Sequence, residues 1–499
     1  MPKRLSALLN NCNITLTAGN PDILIEGIAY DSRYVKTGYA FFALTGIHTD
    51  GHNFIEDAIE RGASAIFVSR MPEKINTSVS WILVDDTRKA MAFFSSEWYG
   101  NPAEKIKIIG VTGTDGKSTT VSFIYQLLNL LGKKSGFIST VEYDCSGKPE
   151  KNPYRQSTPE SPEIMHIISE MVRNNFEYGV IESTSHGLSK KTSRLAAIKY
   201  DAAVLTNVTH EHLEFHGNME NYINDKANLF RKTTGFCVVN YSEPSKMSFI
   251  NAAASPVVSY SLEDIKSDIY ASSIISDSSG SSFNANYKGK SFRCLLPVPG
   301  IFNIENFLAA SLAVSGITGE DMGKVLSLSG NLVSVKGRMD IIDSGQDFTL
   351  IVDYAHTPGA FEKIFPMIKK TVKGRLIALF GSAGERDTEK RAIQGKIASL
   401  YSDILILTDE DPRGEDSMDI IRQISSGINP SFDKSSLYLI PDRQEAISKA
   451  VEIAEKGDTV ILLGKGHEST IIYNTGPVPW NEREAALTAL KNAGYGRNI

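Results

Sequence analysis

The sequence predicts an α/β protein of three domains. These are a small N-terminal α/β domain (1–100), a central α/β domain built on a P-loop (101–336) and a C-terminal Rossmann-like α/β domain (337–499). Three observations carry this. At 499 residues the chain exceeds what one hydrophobic core serves, at about 150 residues per domain. The apolar run 106–111 leads through a Gly-rich turn into Val121, Ile124, Leu127, Leu128 and Leu131 at helical spacing, a strand–loop–helix unit. Around Lys336-Gly337-Arg338 the chain starts over, with apolar runs at 350–352, 376–380, 404–407 and 460–463 and helix-like segments between them.

Taken in order, residues 1–100 mix short strand-like runs, 65–68 and 81–84, with polar turns, and Asn101-Pro102 breaks the chain. In the central domain, Tyr178-Gly179-Val180-Ile181 and Ala202-Ala203-Val204-Leu205 read as short buried strands. Each is followed at once by a polar cluster, as at the carboxyl ends of strands in a parallel sheet. Residues 270–290 are Ser-rich and read as exposed hairpins or loops.

Composition narrows the class. Hydrophobic residues make up 41% and charged residues 22%, which excludes collagen-like, mucin-like and wholly disordered chains. Lys and Arg number 52 against 58 Asp and Glu, a net charge of -6, which argues against a general nucleic-acid binder. Cys12, Cys145, Cys237 and Cys294 are too scattered for a C-x-x-C pair and too few for a disulfide framework, so a reducing compartment is expected. The apolar run 5–9, interrupted by Ser6, is short of a signal peptide's. No stretch reads as approaching the roughly 18 apolar residues of a membrane span. The expectation is a cytoplasmic protein with no membrane and no nucleic-acid partner.

The strongest motif is Thr112-Gly113-Thr114-Asp115-Gly116-Lys117-Ser118-Thr119, between a strand and a helix. Glycines let backbone N–H groups approach phosphate oxygens, Lys117 offers a point charge, Ser118 offers a hydroxyl to Mg²⁺, and the helix N-terminus favours an anion. The strict pattern has Gly where this chain has Val111, so the loop is a variant. By itself it says only that a nucleoside triphosphate binds.

Four of the nine histidines, His186, His210, His212 and His216, lie in two clusters that both follow candidate strands. Phosphoryl transfer needs Mg²⁺ and hard oxygen ligands, with imidazole as an occasional extra; Glu182 and His212 suit that. The spacing of His210 and His212 also fits zinc, but no cysteine and no H-E-x-x-H pattern supports it.

Together these residues resemble the Mur ligase family, which couples ATP hydrolysis to amide formation, and the resemblance spans essentially the whole chain. Within the family it points to addition of the third amino acid of the peptidoglycan stem peptide. Asp31-Ser32-Arg33 and Gly46-Ile47-His48-Thr49-Asp50-Gly51 look like a uridine-nucleotide-binding domain, which implies that Ser32, His48 and Thr49 touch the UDP-linked substrate. The loop matches the family's ATP loop, so Gly113, Thr114, Asp115, Gly116, Lys117, Ser118 and Thr119 hold ATP. Asn303 of Asn303-Ile304-Glu305-Asn306, Arg338 of Lys336-Gly337-Arg338 and Asp353 of Asp353-Tyr354-Ala355-His356-Thr357-Pro358 are its further nucleotide contacts. Gln156, Ser157 and Thr158, with Thr184 and Arg194, fall where the family binds the substrate peptide. The segment 189–194 is about two residues longer than in the diaminopimelate-adding members.

The resemblance also implies a mechanism. Lys226 falls where the family carries a carbamoylated lysine, whose CO₂ adduct turns a cation into a carboxylate. Lys117, Glu182, His212 and Lys226 would be catalytic, with Ser118 and Glu182 on one Mg²⁺ and His212 and carbamoyl-Lys226 on another. Transfer of the γ-phosphoryl to a substrate carboxylate makes an acyl phosphate, which an amine then captures.

Three strand-end loops of the last domain are assigned to the amino acid, implying Arg386, Glu410, Asp411, Pro412, Arg413, Gly464 and Glu468. Diaminopimelate-adding members read Asp-Asn-Pro-Arg where this chain has Glu410, Asp411, Pro412 and Arg413. Arg413 can clamp the distal carboxylate of meso-diaminopimelate; alternatively it pairs with Glu415 or Asp416. Asp411 in place of Asn leaves lysine and ornithine open. Small molecules are the expected partners of a monomer. The rival readings are a folylpolyglutamate-synthase-like ligase and an ATP-binding regulator without ligase chemistry.

Overall fold

The computed structural model describes residues 1–46, 49–154, 156–209, 211–277 and 280–496. It forms two compact units, residues 1–270 with 306–325, and residues 271–305 with 326–499.

The first unit holds two larger sheets and the two-stranded pair Lys3–Arg4 with Leu24–Ile25. The N-terminal one has five strands in the order Ile14–Ala18, Ser80–Val84, Ala65–Val68, Tyr39–Phe42, Gly27–Ala29, parallel except for the first. Phe42 stacks on Phe67 with ring centroids 4.2 Å apart, and Phe94 packs edge-on against both. Phe94 belongs to the helix Thr87–Trp98, which starts where the Asp86 carboxylate accepts from the Arg88 and Lys89 amides.

Parallel strands of the central sheet run in the order Ser135–Ile138, Tyr178–Glu182, Lys107–Thr112, Tyr200–Leu205, Thr233–Asn240, Val257–Ser261, and the start of Ile269–Asp277 adds parallel to the last of these. Antiparallel strands Glu142–Asp144 and Glu150–Lys151 extend one edge. Tyr178–Glu182 and Tyr200–Leu205 are buried almost throughout, as in a sheet covered on both faces. They flank Lys107–Thr112 on opposite sides, so the carboxyl ends of three neighbouring strands open beside the P-loop. The chain reverses its direction of travel across the sheet here, the usual ligand crevice of such folds.

In the second unit, Gly280–Tyr287 and Lys290–Leu296 form an antiparallel hairpin out of the Ser-rich stretch. The last sheet runs Asp340–Ile342, Thr349–Asp353, Thr459–Leu463, Leu376–Phe380, Ile404–Leu407, Leu437–Leu439, parallel except for the first strand. All four apolar runs read from the sequence are its inner strands.

One expectation needs amending. Among the described residues the helix Ile301–Thr318 is long and apolar enough to cross a membrane by length and composition, with mean hydropathy 1.3. Asn303, Glu305 and Asn306 interrupt its first turns, so it holds no unbroken apolar run. It is 67% buried within the protein, and its long apolar stretch belongs to a core helix.

Candidate active site

In the first unit the P-loop is stitched to the loop after the neighbouring strand. The Thr114 amide donates to the Asn207 carbonyl (2.7 Å), the Asp115 amide to Asn207 Oδ1 (3.0 Å) and Thr206 Oγ1 to the Asp115 carbonyl (2.6 Å). Gly113 and Gly116 both have positive φ. A Cβ on Gly113 would lie 1.9 Å from Thr206 Oγ1, and one on Gly116 2.4 Å from Asn306 Oδ1. The helix Lys117–Leu130 begins directly after Gly116, so its first amides face the loop. Lys117 Nζ donates to the Thr114 carbonyl at 2.6 Å.

Glu182 ends its strand buried, with hard oxygen donors around it. Ser118 Oγ donates to Oε2 (2.9 Å), and Thr140 binds through its amide to Oε2 and its hydroxyl to Oε1, each at 2.9 Å. Thr158 Oγ1 donates to the Glu182 carbonyl at 2.9 Å and lies 2.9 Å from Thr184 Oγ1, which caps the short turn at His186.

Lys226 is fully buried on the helix Met219–Arg231. Its Nζ donates to the Gly113 carbonyl at 2.5 Å and sits 4.3 Å from the centre of the Tyr222 ring, whose hydroxyl lies 3.0 Å from Thr114 Oγ1. Burial, then the Lys117 charge, pushes its amine well below the usual lysine range, against Glu211, Asp115 and Glu182, which act in the opposite direction. His186 lies 4.8 Å from His212 and 5.3 Å from His216, ring to ring. Burial and these two imidazoles hold His186 down to about 3. His212 has a left-handed backbone, φ 57°, and stands 3.8 Å from Glu211 and 3.6 Å from Glu214. His216 bridges Asp225 (2.8 Å) and Ser185 (3.1 Å).

Arg194 donates to Glu160 Oε1 (2.9 Å) and to the Thr158 carbonyl (3.2 Å), while Arg88 of the N-terminal helix stands 3.8 Å from Glu160. Ser193 Oγ reaches Asp86 at 3.4 Å. Ser32 is buried, Thr49 and Gln156 are exposed and Ser157 is half-buried. His48 and His210 lie outside the described residues.

The second unit gathers the other predicted residues at strand ends. Asp353 accepts from the Met339 amide (2.7 Å) and the Ala355 amide (2.8 Å), and burial raises its carboxyl. Arg338 lies over the Tyr354 ring at 4.5 Å. Asp411 is held by Lys465 Nζ at 2.8 Å and the Ile472 amide at 3.0 Å; Lys465 also pairs with Glu468 at 2.6 Å. Glu410 is buried, its carboxyl raised by burial, and its Oε2 has no partner among the described residues. A Cβ on Gly464 would meet that oxygen at 3.3 Å. Arg413, φ 57°, donates its amide to Ile472, and among the described residues no side chain pairs with its guanidinium or with that of exposed Arg386. Glu415 and Asp416 are not its partners: Glu415 pairs with Arg391, and Asp416 caps the helix Ser417–Ser425.

Family models match most of the chain: Mur ligase family, catalytic domain, over residues 24–99; Mur ligase middle domain over 111–314; and Mur ligase, glutamate ligase domain, over 337–466. A UDP-N-acetylmuramyl-tripeptide synthetase of Borrelia garinii subsp. bavariensis is 48% identical, over 95% of this chain and 94% of its own. The chain belongs to the Mur ligase family.

A UDP-N-acetylmuramoyl-L-alanyl-D-glutamate--2,6-diaminopimelate ligase of Geobacillus kaustophilus is 36% identical to this Mur ligase, over 95% of this chain and 96% of its own. A solved structure bearing the same enzyme name superposes with a TM-score of 0.70 at 27% identity, covering 99% of this chain and all of that one. The protein is an ATP-dependent amide ligase of peptidoglycan-precursor synthesis, and the regulator and folylpolyglutamate readings fall away.

The fold of this Mur ligase draws Lys117, Ser118, Glu182, Thr184, His212 and Lys226 to neighbouring strand ends of one sheet. Of the segment 303–306, Asn306 is the residue at the P-loop, accepting from Thr120 Oγ1 at 3.2 Å; Asn303 donates to the Pro299 carbonyl. Sequence reasoning gave no role to Thr140, Tyr222, Asn207 or Lys465; the last three stand inside motifs, but their partners are set only by the fold. A Mg²⁺ ion fits the site: Mg²⁺ takes one or two carboxylates, hydroxyls and substrate phosphates, as Glu182, Ser118 and Thr140 with ATP would supply. Among the described residues no three His, Cys, Asp or Glu side chains converge as a zinc site requires.

Proposed function

We propose that this Mur ligase joins meso-diaminopimelate to the γ-carboxylate of D-glutamate in UDP-N-acetylmuramoyl-L-alanyl-D-glutamate, by way of an acyl phosphate. The observation that carries it is the convergence of Lys117, Ser118, Glu182 and buried Lys226 on adjacent strand ends beside a phosphate-binding helix terminus. A carboxylate acylates an amine poorly; phosphorylation gives it a good leaving group. Lys117 and the helix amides hold the transferred phosphoryl. Ser118 and Glu182 would ligate one Mg²⁺, and His212 with carbamoylated Lys226 a second. Bound there, the ions neutralise charge on the phosphoryl oxygens.

Lys226 suits its modification because the neutral amine attacks CO₂, forming an N–C bond and releasing a proton; burial favours that form. Ser32, His48 and Thr49 receive the uridine nucleotide, and Gln156, Ser157, Thr158, Thr184 and Arg194 the peptide. Asn303, Arg338 and Asp353 complete the nucleotide's contacts. Three domains with boundaries near residues 100 and 336 divide this work in a monomer. Its substrates are dissolved small molecules and its four cysteines are free, which supports a cytoplasmic location without membrane or nucleic-acid partners.

The amine donor is read from charge. Two guanidinium groups without side-chain partners among the described residues, Arg386 and Arg413, match the two carboxylates of meso-diaminopimelate, and Glu410 with Glu468 match its distal ammonium. Asp411 opposes this less than its charge suggests, since Lys465, shared with Glu468, and the Ile472 amide hold its Oδ1. A second reading, L-lysine or L-ornithine, is favoured by the partnerless Glu410 oxygen, which asks for an ammonium alone. Competition among the three amino acids, read as phosphate release with the UDP-dipeptide, decides between them. Diaminopimelate is expected to win, and Arg413→Ala to raise its KM about tenfold or more while barely moving that of lysine. Equal effects on both would remove Arg413 from recognition of the distal carboxylate.

A further inference from the structure

We propose that Arg391 and Glu415 are positioning residues that set the two guanidinium groups, Arg386 and Arg413, in the geometry that receives the amine donor. This rests on the pocket assignment above and goes beyond it, because neither residue is assigned to the substrate.

Arg391 is fully buried on the helix Glu389–Tyr401. It grips Glu415 fork to fork, Nη1 to Oε2 at 2.8 Å and Nη2 to Oε1 at 3.0 Å. Its other Nη donors go to the Ala383 carbonyl (2.9 Å) and Gln423 Oε1 (2.8 Å), while its Nε has no partner among the described residues. Glu415 Oε1 also accepts the Glu385 amide at 2.5 Å. The pair therefore binds the backbone on both sides of Gly384, two residues before Arg386. Gly384 donates to the Asp411 carbonyl at 2.8 Å, and a Cβ there would lie 2.0 Å from the Pro412 carbonyl oxygen. The Glu415 amide in turn donates to Pro412 at 3.1 Å. One ion pair thus locks the loop carrying Arg386 to the loop carrying Arg413.

The lock has strain to hold. Glu385 (φ 55°) and Arg413 (φ 57°) are left-handed without being glycine, a conformation that persists only where the surroundings over-determine it. Both lie within two residues of a member of the network. Arg391 holds the Glu415 carboxyl down to about 2, so the pair is charged at any physiological pH. A purely structural pair would be repaid in stability alone. This one joins the two loops whose spacing fixes the distance between two carboxylate clamps.

The test uses the full-length enzyme with ATP, the UDP-dipeptide and whichever amino acid it prefers. Glu415→Gln keeps the volume and removes the charge; Arg391→Lys keeps the charge and removes the fork. Each is expected to raise KM for the amino acid about tenfold or more, leaving KM for ATP and for the UDP-dipeptide unchanged. Adding Glu415→Gln to Arg386→Ala is expected to give less than the product of the separate effects. Arg391 is buried and its variant could misfold; Glu415 is partly exposed, and its variant reads the same network. An unchanged amino-acid KM, an equal rise for all three substrates, or strict additivity overturns the proposal. Arg386→Ala and Arg413→Ala alone test the pocket: if neither moves the amino-acid KM, the assignment itself fails. If they do and Glu415→Gln and Arg391→Lys do not, only the positioning role falls.

Discussion

Lys226 shows how far one side chain's surroundings decide its chemistry. An exposed lysine is neutral in only about one molecule in a few thousand at pH 7, which makes it a poor acceptor of CO₂. Lys226 is buried beside Lys117, which moves its amine toward the neutral form. ¹³C-labelled bicarbonate is therefore expected to give a carbamate signal in the wild type that is absent in Lys226→Ala, and that variant should lose ligation with bicarbonate unable to restore it. Full activity in Lys226→Ala would remove carbamoylation from the mechanism. Asp411 makes the complementary point. Its type suggests a charge offered to the substrate, yet Lys465 and the Ile472 amide already occupy one of its oxygens. The sequence showed the substitution but could not show its partner 54 residues away.

At the scale of elements, what was legible is what repeats locally. The strand–loop–helix at 107–130 announces itself by a compact apolar run, two glycines and a helical stripe. The inner strands of the last sheet announce themselves as short, wholly apolar runs. Edge strands did not: Asp340–Ile342 is only three residues long, and Leu437–Leu439 is half-exposed, so neither leaves a period to detect. Nor did the ties between elements, such as Thr140 on Glu182 or Tyr222 on Thr114, which arise only when the sheet order is set. Gly116 is a place where element geometry can be tested. Gly116 (φ 78°) and Gly132 (φ 73°), just past opposite ends of the same helix, share the left-handed conformation. An added Cβ meets buried Asn306 at 2.4 Å at the first and nothing within 4 Å at the second. Both alanine variants should lose about 1–2 kcal/mol of stability from the backbone alone. Only Gly116→Ala should also weaken binding of a non-hydrolysable ATP analogue, by tenfold or more in calorimetry. Equal binding losses would mean that close approach at Asn306 does not shape the loop.

For the whole molecule, the two units should answer mild acid in opposite directions. In the second, burial pushes Asp409 up to about 6, while Arg391 holds Glu415 down to about 2. Above pH 6 the Asp409 carboxylate is charged in the folded and unfolded chain alike, and its burial costs stability. Between about 6 and its ordinary value near 3.8, the folded chain has taken up a proton that the unfolded chain has not, so stability rises as pH falls. Glu415 contributes above its ordinary value and loses that contribution only as pH falls from about 4.5 toward 2. In the first unit His186, faced by His212, His216, Arg194 and Lys226, is held down to about 3, and burial lowers His216 as well. An unfolded histidine takes up its proton near 6.5, so here stability falls as pH drops below that value; Glu163, raised by burial, opposes only part of it. Hydrogen exchange followed by mass spectrometry at pH 7 and pH 5, corrected for intrinsic rates, should show protection in residues 178–205 falling relative to that in residues 404–463. Asp409→Asn should reduce the second unit's gain, leaving the part that buried Asp353 and Glu410 contribute in the same direction, and leave the first unit's loss intact. A uniform change across both units, or one that Asp409→Asn leaves untouched, would show that these buried groups do not set the acid response.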